Sequence, residues 1–484
     1  MRMKIGFEIH EQLATKRKLC CDCPTDYREA PPNTNVCPIC TAMPGAKPMP
    51  PNVRAVDAVI ELALMLGCEV VLDQPIYVQR KHYDYPDLPA GYQHSSTPIG
   101  INGELVGVRI REVHLEEDPG AYDPVAGTVD FNRCGVPLVE IVTEPDMHSP
   151  EEARRFLRQL MLVLDYSGRV RPEPGTLRAD TNISLEGGTR VEIKNINSTK
   201  GAYRAVKFEV MRQKALIERG AVIPYETRAY LESQMITVPM RMKVVDFHVI
   251  PDPDIFPIVI DRARVETIRK RMVEVPHQRE QRLVKQYQIS QAVAGVIVSE
   301  RELADLFEAV AKEVDPKLVA TWFQTNLKKV LNYMKLRAAD VRFTPEQFGG
   351  LLRMVKDKRI TPEQGELVLR ELVKQPAELE KLLRRIGIPI TVELREKIKL
   401  EDRLKVVPLK HGELEAAVVK TLEENPKAVE DYLKGRKEAL NFLAGKVMKL
   451  TRGRADPREI LKFLSAKLKG KKKRRVSRRT KRSK

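Results

Sequence analysis

Apolar and polar residues alternate along several segments in the first half of the chain, as they do in strands with one buried face. In residues 4–13 the alternation puts Glu8 and His10 together on a polar face, opposite an apolar one. In residues 138–144 it puts Glu140 into a segment that is otherwise largely apolar. We therefore predict a sheet whose polar face carries ionisable side chains.

Two more strands of this kind are predicted between residues 177 and 197. Asp180 and Asn182 share one face of the first strand, and the second strand ends near Lys194 and Asn195. A solvent-facing antiparallel sheet would show the same alternation, so the pattern alone does not separate a binding surface from a wet face.

Beyond about residue 260 the apolar residues take the spacing of amphipathic helices, and aromatic residues become scarce. We expect one set of helices at 262–343 and a second at 344–468, where Thr344 and the proline after it form a typical helix start. The sequence thus predicts an α+β protein, in which a domain with antiparallel sheets at 1–261 is followed by all-α domains.

The net charge of +18 is unevenly distributed along the chain. Residues 469–484 contain eleven Lys or Arg and no acidic residue, which predicts a disordered basic tail that binds a polyanion. A solubilising terminus with weak nucleic-acid affinity is the alternative. No run of about 18 apolar residues and no apolar signal segment occurs, so we expect a cytoplasmic protein without a membrane span.

All seven cysteines lie in the first third of the chain, and five of them lie at or before Cys40, around a loop rich in Pro and Asn. In a reducing compartment, clustered cysteines bind metal more often than they form disulfides. Cys23, Cys37 and Cys40 with one earlier cysteine match a structural zinc site of four thiolates, in an insertion at about 20–40. The spacing of a CxxC knuckle favours Cys20 as the fourth ligand, and the adjacent Cys21 stays open.

Carboxylates in apolar strands need a partner, because an isolated charge out of water is costly. Glu116 and Glu117 add two carboxylates to Glu8, His10 and Glu140. An oxygen-rich site with one imidazole suits Mg²⁺ that also holds nucleotide phosphates, whereas an edge strand with one wet face is the alternative. The motifs GxxxxGK[ST] and GxGxxG do not occur, so any nucleotide must be held in another way.

Residues 80–93 mix cations, tyrosines, carboxylates and prolines too densely for a regular helix or strand. They predict a binding loop, with Arg80 and Tyr85 as candidate substrate contacts. An ordinary packed surface loop is the alternative.

Several long motifs resemble those of the B subunits of tRNA-dependent amidotransferases. The likeness runs from Ile5 to about Leu468 and is carried by these stretches: Gly6-Phe7-Glu8-Ile9-His10, Pro32-Asn33-Thr34-Asn35-Val36-Cys37-Pro38, Tyr85-Pro86-Asp87-Leu88-Pro89, His114-Leu115-Glu116-Glu117-Asp118 and Gly135-Val136-Pro137-Leu138-Val139-Glu140. The chain departs from the family pattern at Phe247, His248 and Val249, where family members usually have Tyr, Arg and Tyr.

The resemblance implies a cradle similar to the fold of glutamine synthetase and the guanidino kinases. A helical domain and a tail domain similar to YqeY would follow it. The resemblance also places Mg²⁺ on His10, Glu117 and Glu140, with Glu8 beside them, and it favours Cys21 for the zinc site.

In this family ATP phosphorylates the side-chain carboxylate of Glu-tRNA(Gln) or Asp-tRNA(Asn), and ammonia then displaces the phosphate. A partner amidase, known as the A subunit, releases the ammonia from glutamine, and a small C subunit belongs to the same assembly. ATP, Mg²⁺ and structural Zn²⁺ are therefore the expected cofactors, and misacylated tRNA is the expected partner. A tRNA-binding module that keeps the same fold without turnover is the alternative.

This chemistry suggests roles for the candidate residues, because phosphoryl transfer to a carboxylate develops charge that needs metal and cationic clamps. Arg80, Arg178 and Lys194 are expected to neutralise phosphate oxygens. The expected catalytic centre comprises Glu8, His10, Glu116, Glu117 and Glu140, and the remaining candidate substrate contacts are Tyr85, Asp180, Asn182 and Asn195.

Overall fold

The computed structural model describes residues 2–83, 85–173, 175–240, 248–374, 411–433, 438–450 and 460–468. The chain divides into two compact units, Met1–Gln278 and Arg279–Lys484. The basic tail predicted at 469–484 lies outside the described residues. Within the described part of the chain, no helix is long and apolar enough to cross a membrane.

The first unit contains the strands of the described residues. Their bounds are β1 Met3–Gln12, β2 Glu69–Val70, β3 Pro75–Ile76, β4 Val78–His82, β5 Tyr92–Ser96, β6 Gly100–Leu105, β7 Val108–Glu117, β8 Ala121–Asp123, β9 Thr128–Asp130, β10 Pro137–Thr143, β11 Arg178–Leu185, β12 Val191–Lys194, β13 Glu226–Leu231, β14 Ile236–Pro239, β15 His248–Pro251 and β16 Ile258–Val259.

Twelve of these strands form one sheet, in the order β14-β13-β12-β11-β1-β10-β7-β5-β4-β15, with β6 pairing with both β7 and β2. Neighbouring strands run antiparallel except β12 and β13, which run parallel. Strand β1 lies in the middle, between β10 and β11. This large, mainly antiparallel sheet, followed by helices, confirms the predicted α+β class.

The apolar face of the central strand is buried under helices, as its alternation predicts. Ile5, Phe7 and Ile9 are at most 1% exposed, and the ring of Phe7 stacks on Phe156 with the centroids 6.2 Å apart. Phe156 belongs to a helix at 150–167 that begins after the N-cap Ser149. The opposite face of β1 is therefore the one that carries Glu8 and His10 away from the core.

The prediction of an irregular loop at 80–93 is wrong at both ends, because Arg80–His82 belong to β4 and Tyr92–Gln93 to β5. Antiparallel pairing of these two strands, with the ring of His82 edge-on to that of Tyr92, outweighs the unfavourable composition. The irregular part is thus the connection between the two strands.

The helices of the described residues are α1 Val53–Met65, α2 Pro150–Ser167, α3 Thr199–Glu218, α4 Arg262–Arg271, α5 Pro276–Tyr287, α6 Gln291–Ile297, α7 Arg301–Ala311, α8 Pro316–Trp322, α9 Lys328–Met334, α10 Pro345–Lys356, α11 Pro362–Lys374, α12 His411–Glu424, α13 Pro426–Leu433, α14 Glu438–Leu450 and α15 460–468. A π-helical turn, Phe323–Leu327, joins α8 to α9, and a 3₁₀ turn lies at Ala338–Asp340. In the first unit, Asp57 on α1 accepts hydrogen bonds from Arg264 and Arg271.

The second unit has apolar cores made by its helices. Phe307, Phe323 and Phe348 form consecutive edge-to-face pairs with centroids 5.5 and 5.7 Å apart. Near the C-terminus, buried residues such as Val418 and Leu464 form a further core cluster. Thr344 caps α10 as its sequence predicts, since its hydroxyl accepts a hydrogen bond from the backbone N–H of Gln347. The domain limits at 261/262 and 343/344 stay predictions.

Candidate functional site

Four ionisable side chains meet on one face of the sheet, and we call them the acid–imidazole cluster: Glu8 and His10 on β1, Glu116 on β7 and Glu140 on β10. The strand register explains why they meet. His10 pairs directly with Glu140, and residues paired across antiparallel strands point to the same face. Glu116 pairs with Leu138, two residues from Glu140, so it shares that face as well.

The cluster is compact enough to share a bound cation. His10 Nε2 lies 3.3 Å from Glu116 Oε2 and 3.7 Å from Glu140 Oε1. One ligand atom each of Glu8, His10 and Glu140 lies within 4.8 Å of the others. Glu116 is 1% exposed, and its Oε1 is buried without a hydrogen-bond partner. The donor set and this unsatisfied oxygen fit a divalent cation that prefers carboxylate ligands.

The protonation states of the cluster reflect crowded carboxylates. Burial, the charge of Glu116 and the hydrogen bond with Glu8 raise the pKa of Glu140 to about 11. Burial acts against ionisation of Glu116, but the hydrogen bond and charge of His10 lower the pKa of Glu116 to about 2. Glu140 therefore keeps its proton and donates it to Glu8 in a hydrogen bond, and a divalent ion bound here would displace that proton.

Lysine side chains flank the cluster on both sides. Lys81 on β4 has its Nζ 4.0 Å from Glu116 Oε1. Burial lowers the pKa of Lys81, but the charges of Glu116, Glu140 and Glu8 outweigh burial and raise it. Lys194, at the end of β12, is held by Asp180, with its Nζ 2.8 Å from Asp180 Oδ2. Two ammonium groups thus border a negatively charged centre.

The other predicted substrate contacts differ in their surroundings. Arg178 on β11 donates to Asp118 over 2.5 Å, and Asn182 lies on the same strand, paired with Gly6. Asn195 follows β12, is exposed and has a left-handed backbone with φ of 66°. Tyr85 is 56% exposed. Arg178 and Asn182 share the face of the cluster by register, whereas no contact among the described residues joins Tyr85 or Asn195 to it.

Glu117 does not join the acid–imidazole cluster, although the family resemblance makes it a Mg²⁺ ligand. Its Oε1 accepts a hydrogen bond from the backbone N–H of His94 at 3.0 Å and lies 2.7 Å from His94 Nδ1. The other ring nitrogen of His94 lies 2.9 Å from Asp252 Oδ2, and Arg80 donates to the same carboxylate at 2.7 Å. We call Arg80, His94, Glu117 and Asp252 the back-face network.

The back-face network is charge-balanced. Burial disfavours the imidazolium of His94, but the charge of Glu117 and hydrogen bonds to Glu117 and Asp252 raise the pKa of His94 to about 9. Burial opposes ionisation of Asp252, yet hydrogen bonds from His94 and Arg80 lower its pKa. His94 therefore carries both ring protons near neutral pH and bridges two carboxylates. Arg80, predicted to face phosphate, is engaged here instead.

Lys81, His94 and Asp252 were absent from the sequence-based candidates. The signal for Lys81 was present, because it is adjacent to Arg80 and must face the opposite side of any strand that contains both. The sequence gives no comparable sign that His94 lies between Glu117 and Asp252, because Asp252 is 158 residues from His94 along the chain. That contact depends on β15 joining the sheet beside β4.

A second group of possible metal ligands lies in the loop between β1 and α1. The sulfurs of Cys21, Cys23, Cys37 and Cys40 lie within 4.8 Å of one another, and we call them the four-cysteine cluster. Cys20 is buried outside this group, so the geometry favours Cys21 for the position that spacing left open. Four sulfurs in a loop without a core of its own fit a closed structural metal site.

Comparison with known proteins identifies the family. Residues 3–266 match the GatB/GatE catalytic domain, and residues 305–468 match the GatB domain. The chain is 52% identical to a protein of Methanobrevibacter smithii that is named as the B subunit of aspartyl/glutamyl-tRNA(Asn/Gln) amidotransferase, over 96% of this chain and 99% of that protein. Its identity to proteins with the same name is 51% in Methanosphaera stadtmanae, over 96% and 99% of the two chains, and 49% in Methanopyrus kandleri, over 96% and 98%. The chain therefore belongs to the family of aspartyl/glutamyl-tRNA(Asn/Gln) amidotransferase B subunits.

Proposed function

We propose that this chain uses ATP to activate the side-chain carboxylate of Glu-tRNA(Gln), Asp-tRNA(Asn) or both, and that ammonia then converts it to the amide. The observation that carries the proposal is the acid–imidazole cluster, in which carboxylates from three strands crowd around His10 on one face of the sheet. Buried carboxyl groups that lie close together without enough hydrogen-bond partners lower the stability of a protein. Such groups are typical of sites that bind a ligand.

The proposed reaction has two steps. A carboxylate oxygen of the aminoacyl group attacks the γ-phosphorus of ATP, and the bond to the bridging oxygen breaks, which gives an acyl phosphate and ADP. Ammonia then attacks the acyl carbon, phosphate leaves and one proton is lost, which gives the amide. Neither step requires a nucleophilic side chain from the protein, so the chain has to position, neutralise and shield the reactants.

We assign the divalent cation to Glu8, His10 and Glu140, with Glu116 beside them. These residues would hold the ion, which would supply positive charge against the charge that develops on the phosphate during transfer. Glu117, the remaining ligand that the family resemblance implies, is engaged by His94 and is left out of this assignment. The carboxylate oxygens that would hold the ion come from separate strands of one rigid sheet, which favours a preformed site.

Lys81 and Lys194 are the cations that we propose for the phosphate oxygens. Both ammonium groups lie beside the cluster, and both are tethered by acids, Lys81 near Glu116 and Lys194 by Asp180. Arg178 lies on the same face and is a third candidate, although Asp118 already engages its guanidinium. Arg80 is assigned to the back-face network and not to the substrate.

We propose further that the four-cysteine cluster holds zinc and that the sheet domain has the fold of glutamine synthetase and the guanidino kinases. Four thiolates with no open position would stabilise the loop and leave the metal without a catalytic role. The relatives are named as B subunits, so we infer two partner proteins: an amidase, the A subunit, which supplies ammonia, and a small C subunit. Misacylated tRNA is the remaining partner.

The proposal is tested by combining the full chain with its partner proteins and measuring ADP formation with Mg²⁺ and each misacylated tRNA in turn. We expect ADP release that depends on glutamylated or aspartylated tRNA, and mass spectrometry of the aminoacyl group should show the amide. Correctly charged Gln-tRNA(Gln) is the matched control and should not stimulate ATP use. Binding of misacylated tRNA without ADP formation would instead identify a tRNA-binding module.

A further inference from the structure

We propose that Lys18 is the charge-compensating partner of the four-cysteine cluster and joins that metal site to the end of strand β7. This inference rests on the zinc assignment proposed above. Lys18 lies in the segment between β1 and the first cysteines, and it is only 1% exposed. Fully buried lysines are rare, because removing an ammonium group from water is costly unless its charge and its protons are matched.

The ammonium group of Lys18 has an acceptor for each of its three protons. Its Nζ lies 2.9 Å from the carbonyl oxygen of Asn35, 3.3 Å from the carbonyl oxygen of Phe131 and 3.4 Å from Cys40 Sγ. Two of these acceptors are neutral carbonyls, so the sulfur is the contact that can match the positive charge. A buried cation that donates to a cysteine sulfur favours the thiolate form of that cysteine.

The charge of a metal site with four thiolates explains why such a contact is useful. Four thiolates outweigh the charge of one divalent ion, so the site is an anion inside the protein. Hydrogen bonds from outside the ligand set reduce the charge on the sulfurs and hold the ligands in place, and their loss weakens metal binding. The N–H of Lys18 directed at Cys40 Sγ meets this requirement with a full positive charge.

Gly135 lies where the metal loop meets the end of strand β7. Gly135 has φ of +84°, and a β-carbon on it would lie 3.5 Å from Lys18 Cδ, 3.8 Å from Cys40 Cβ and 3.7 Å from Glu117 Oε2. Its carbonyl accepts from the backbone N–H of Leu19, and its own N–H donates to the carbonyl of Asp118. Lys18, the metal loop and the end of β7 therefore share one packed junction.

The test compares Lys18→Met with Lys18→Arg in the full chain, and exposed Lys16→Met is the matched control. Zinc release to a colorimetric chelator is measured, together with the thiolate-to-metal absorption of the cobalt-substituted protein. We expect Lys18→Met to release zinc roughly 10- to 100-fold faster and to shift the cobalt absorption to longer wavelength. Lys18→Arg should retain most of the wild-type behaviour, and Lys16→Met all of it.

A purely structural role for Lys18 predicts a different result. In that case Lys18→Met would lower the melting temperature of the zinc-free and zinc-loaded chains equally, and zinc release would be unchanged; this outcome would overturn the proposal. If Lys18→Met does not fold, Lys18→Gln still tests the proposal: loss of the positive charge at Cys40 Sγ should speed zinc release and shift the cobalt absorption to longer wavelength, and wild-type values for both would overturn it. Wild-type protein without zinc would refute the zinc assignment itself, a result separate from any effect of Lys18.

Discussion

The two faces of the central sheet carry ionisable groups of the same kinds in opposite states. In the back-face network, His94 bridges Glu117 and Asp252, and Arg80 neutralises Asp252 further, so each carboxylate has a cationic partner. In the acid–imidazole cluster, burial and the neighbouring acids raise the pKa of Glu140, and one oxygen of Glu116 has no hydrogen-bond partner. The first arrangement is complete without a ligand, whereas the second is not.

Adjacent residues illustrate the difference most directly. Glu116 and Glu117 follow each other in β7, and Arg80 and Lys81 follow each other in β4, yet the members of each pair face opposite sides of the sheet. Buried charges that are balanced stabilise the fold. Buried carboxylates that lack partners raise the free energy of the folded state, and a bound cation would lower it. We therefore expect substitutions in the acid–imidazole cluster to impair function and substitutions in the back-face network to impair stability.

The largest expected effect is on turnover, from Glu140→Gln. Loss of this carboxylate removes a metal ligand, and the lost charge stabilisation of several kcal/mol corresponds to roughly a 10³-fold lower rate of tRNA-dependent ADP formation. The free energy of unfolding should not fall, because glutamine keeps the shape and a hydrogen-bond donor of a carboxyl group whose raised pKa already makes it neutral.

Glu144→Gln is the matched control for Glu140→Gln, since Glu144 lies four residues further on, beyond the end of β10, and is only half-buried. It should leave both turnover and stability near the wild-type values. If Glu140→Gln lowers the free energy of unfolding but leaves tRNA-dependent ADP formation unchanged, the acid–imidazole cluster has a structural role and the proposed mechanism loses its basis.

The next effect in size is on stability, from His94→Leu. This substitution leaves Glu117 without its partner and Asp252 with Arg80 alone, and breaking a buried ionic network costs about 3 kcal/mol of unfolding free energy. Urea unfolding of the full chain measures the loss. The exposed His248→Gln is the control and should change the value by less than about 0.5 kcal/mol.

Much of the acid–imidazole cluster could be predicted from the sequence, and there is a physical reason why the rest could not. Alternation placed Glu8 and His10 on one face of β1 and Glu140 on β10, because a strand fixes the relative orientation of its own residues. Alternation does not say which of two adjacent polar residues faces which side of the sheet. Strand register decides that Glu116 faces the acid–imidazole cluster and Glu117 does not. It likewise decides that Lys81 faces the cluster and Arg80 does not.

Other features depend on contacts between distant parts of the chain. The network around His94 requires Asp252, which β15 brings beside β4. The four-cysteine cluster was predictable as a motif; its spacing favours Cys20, whereas the family resemblance and the three-dimensional path of the loop both favour Cys21. For the carboxylates the two differ, because the resemblance implies Glu117 as a metal ligand, whereas the strand register places Glu116 beside His10 and Glu140.

A third prediction separates the two glutamates through metal binding. Mg²⁺ at 100 times its dissociation constant should stabilise the wild-type chain by about 2.7 kcal/mol, because it binds the folded state. Glu140→Gln should lose this stabilisation. Glu117→Gln should keep it, although its unfolding free energy without Mg²⁺ should be lower than that of wild type. Calorimetry with and without MgCl₂ measures both quantities, and loss of the Mg²⁺ effect in Glu117→Gln would make Glu117 a ligand after all.

The effect that is smallest at each step of the measurement is a pH dependence of stability that comes from the back-face network and changes the unfolding free energy gradually over several pH units. His94 titrates near its ordinary pKa of 6.5 when unfolded and at about 9 when folded, so its stabilising contribution is complete below about pH 6.5 and lost as the pH rises through about 9. Between these values the unfolding free energy should fall by up to about 1.4 kcal/mol per pH unit relative to His94→Gln. Groups remote from His94 titrate alike in both chains and cancel in the difference, and the pKa of Asp252, which His94 helps to lower, lies well below this pH range. His248→Gln, measured in parallel, should follow the wild-type curve, and a His94→Gln curve parallel to wild type would mean that the imidazole is not held as a cation between Glu117 and Asp252.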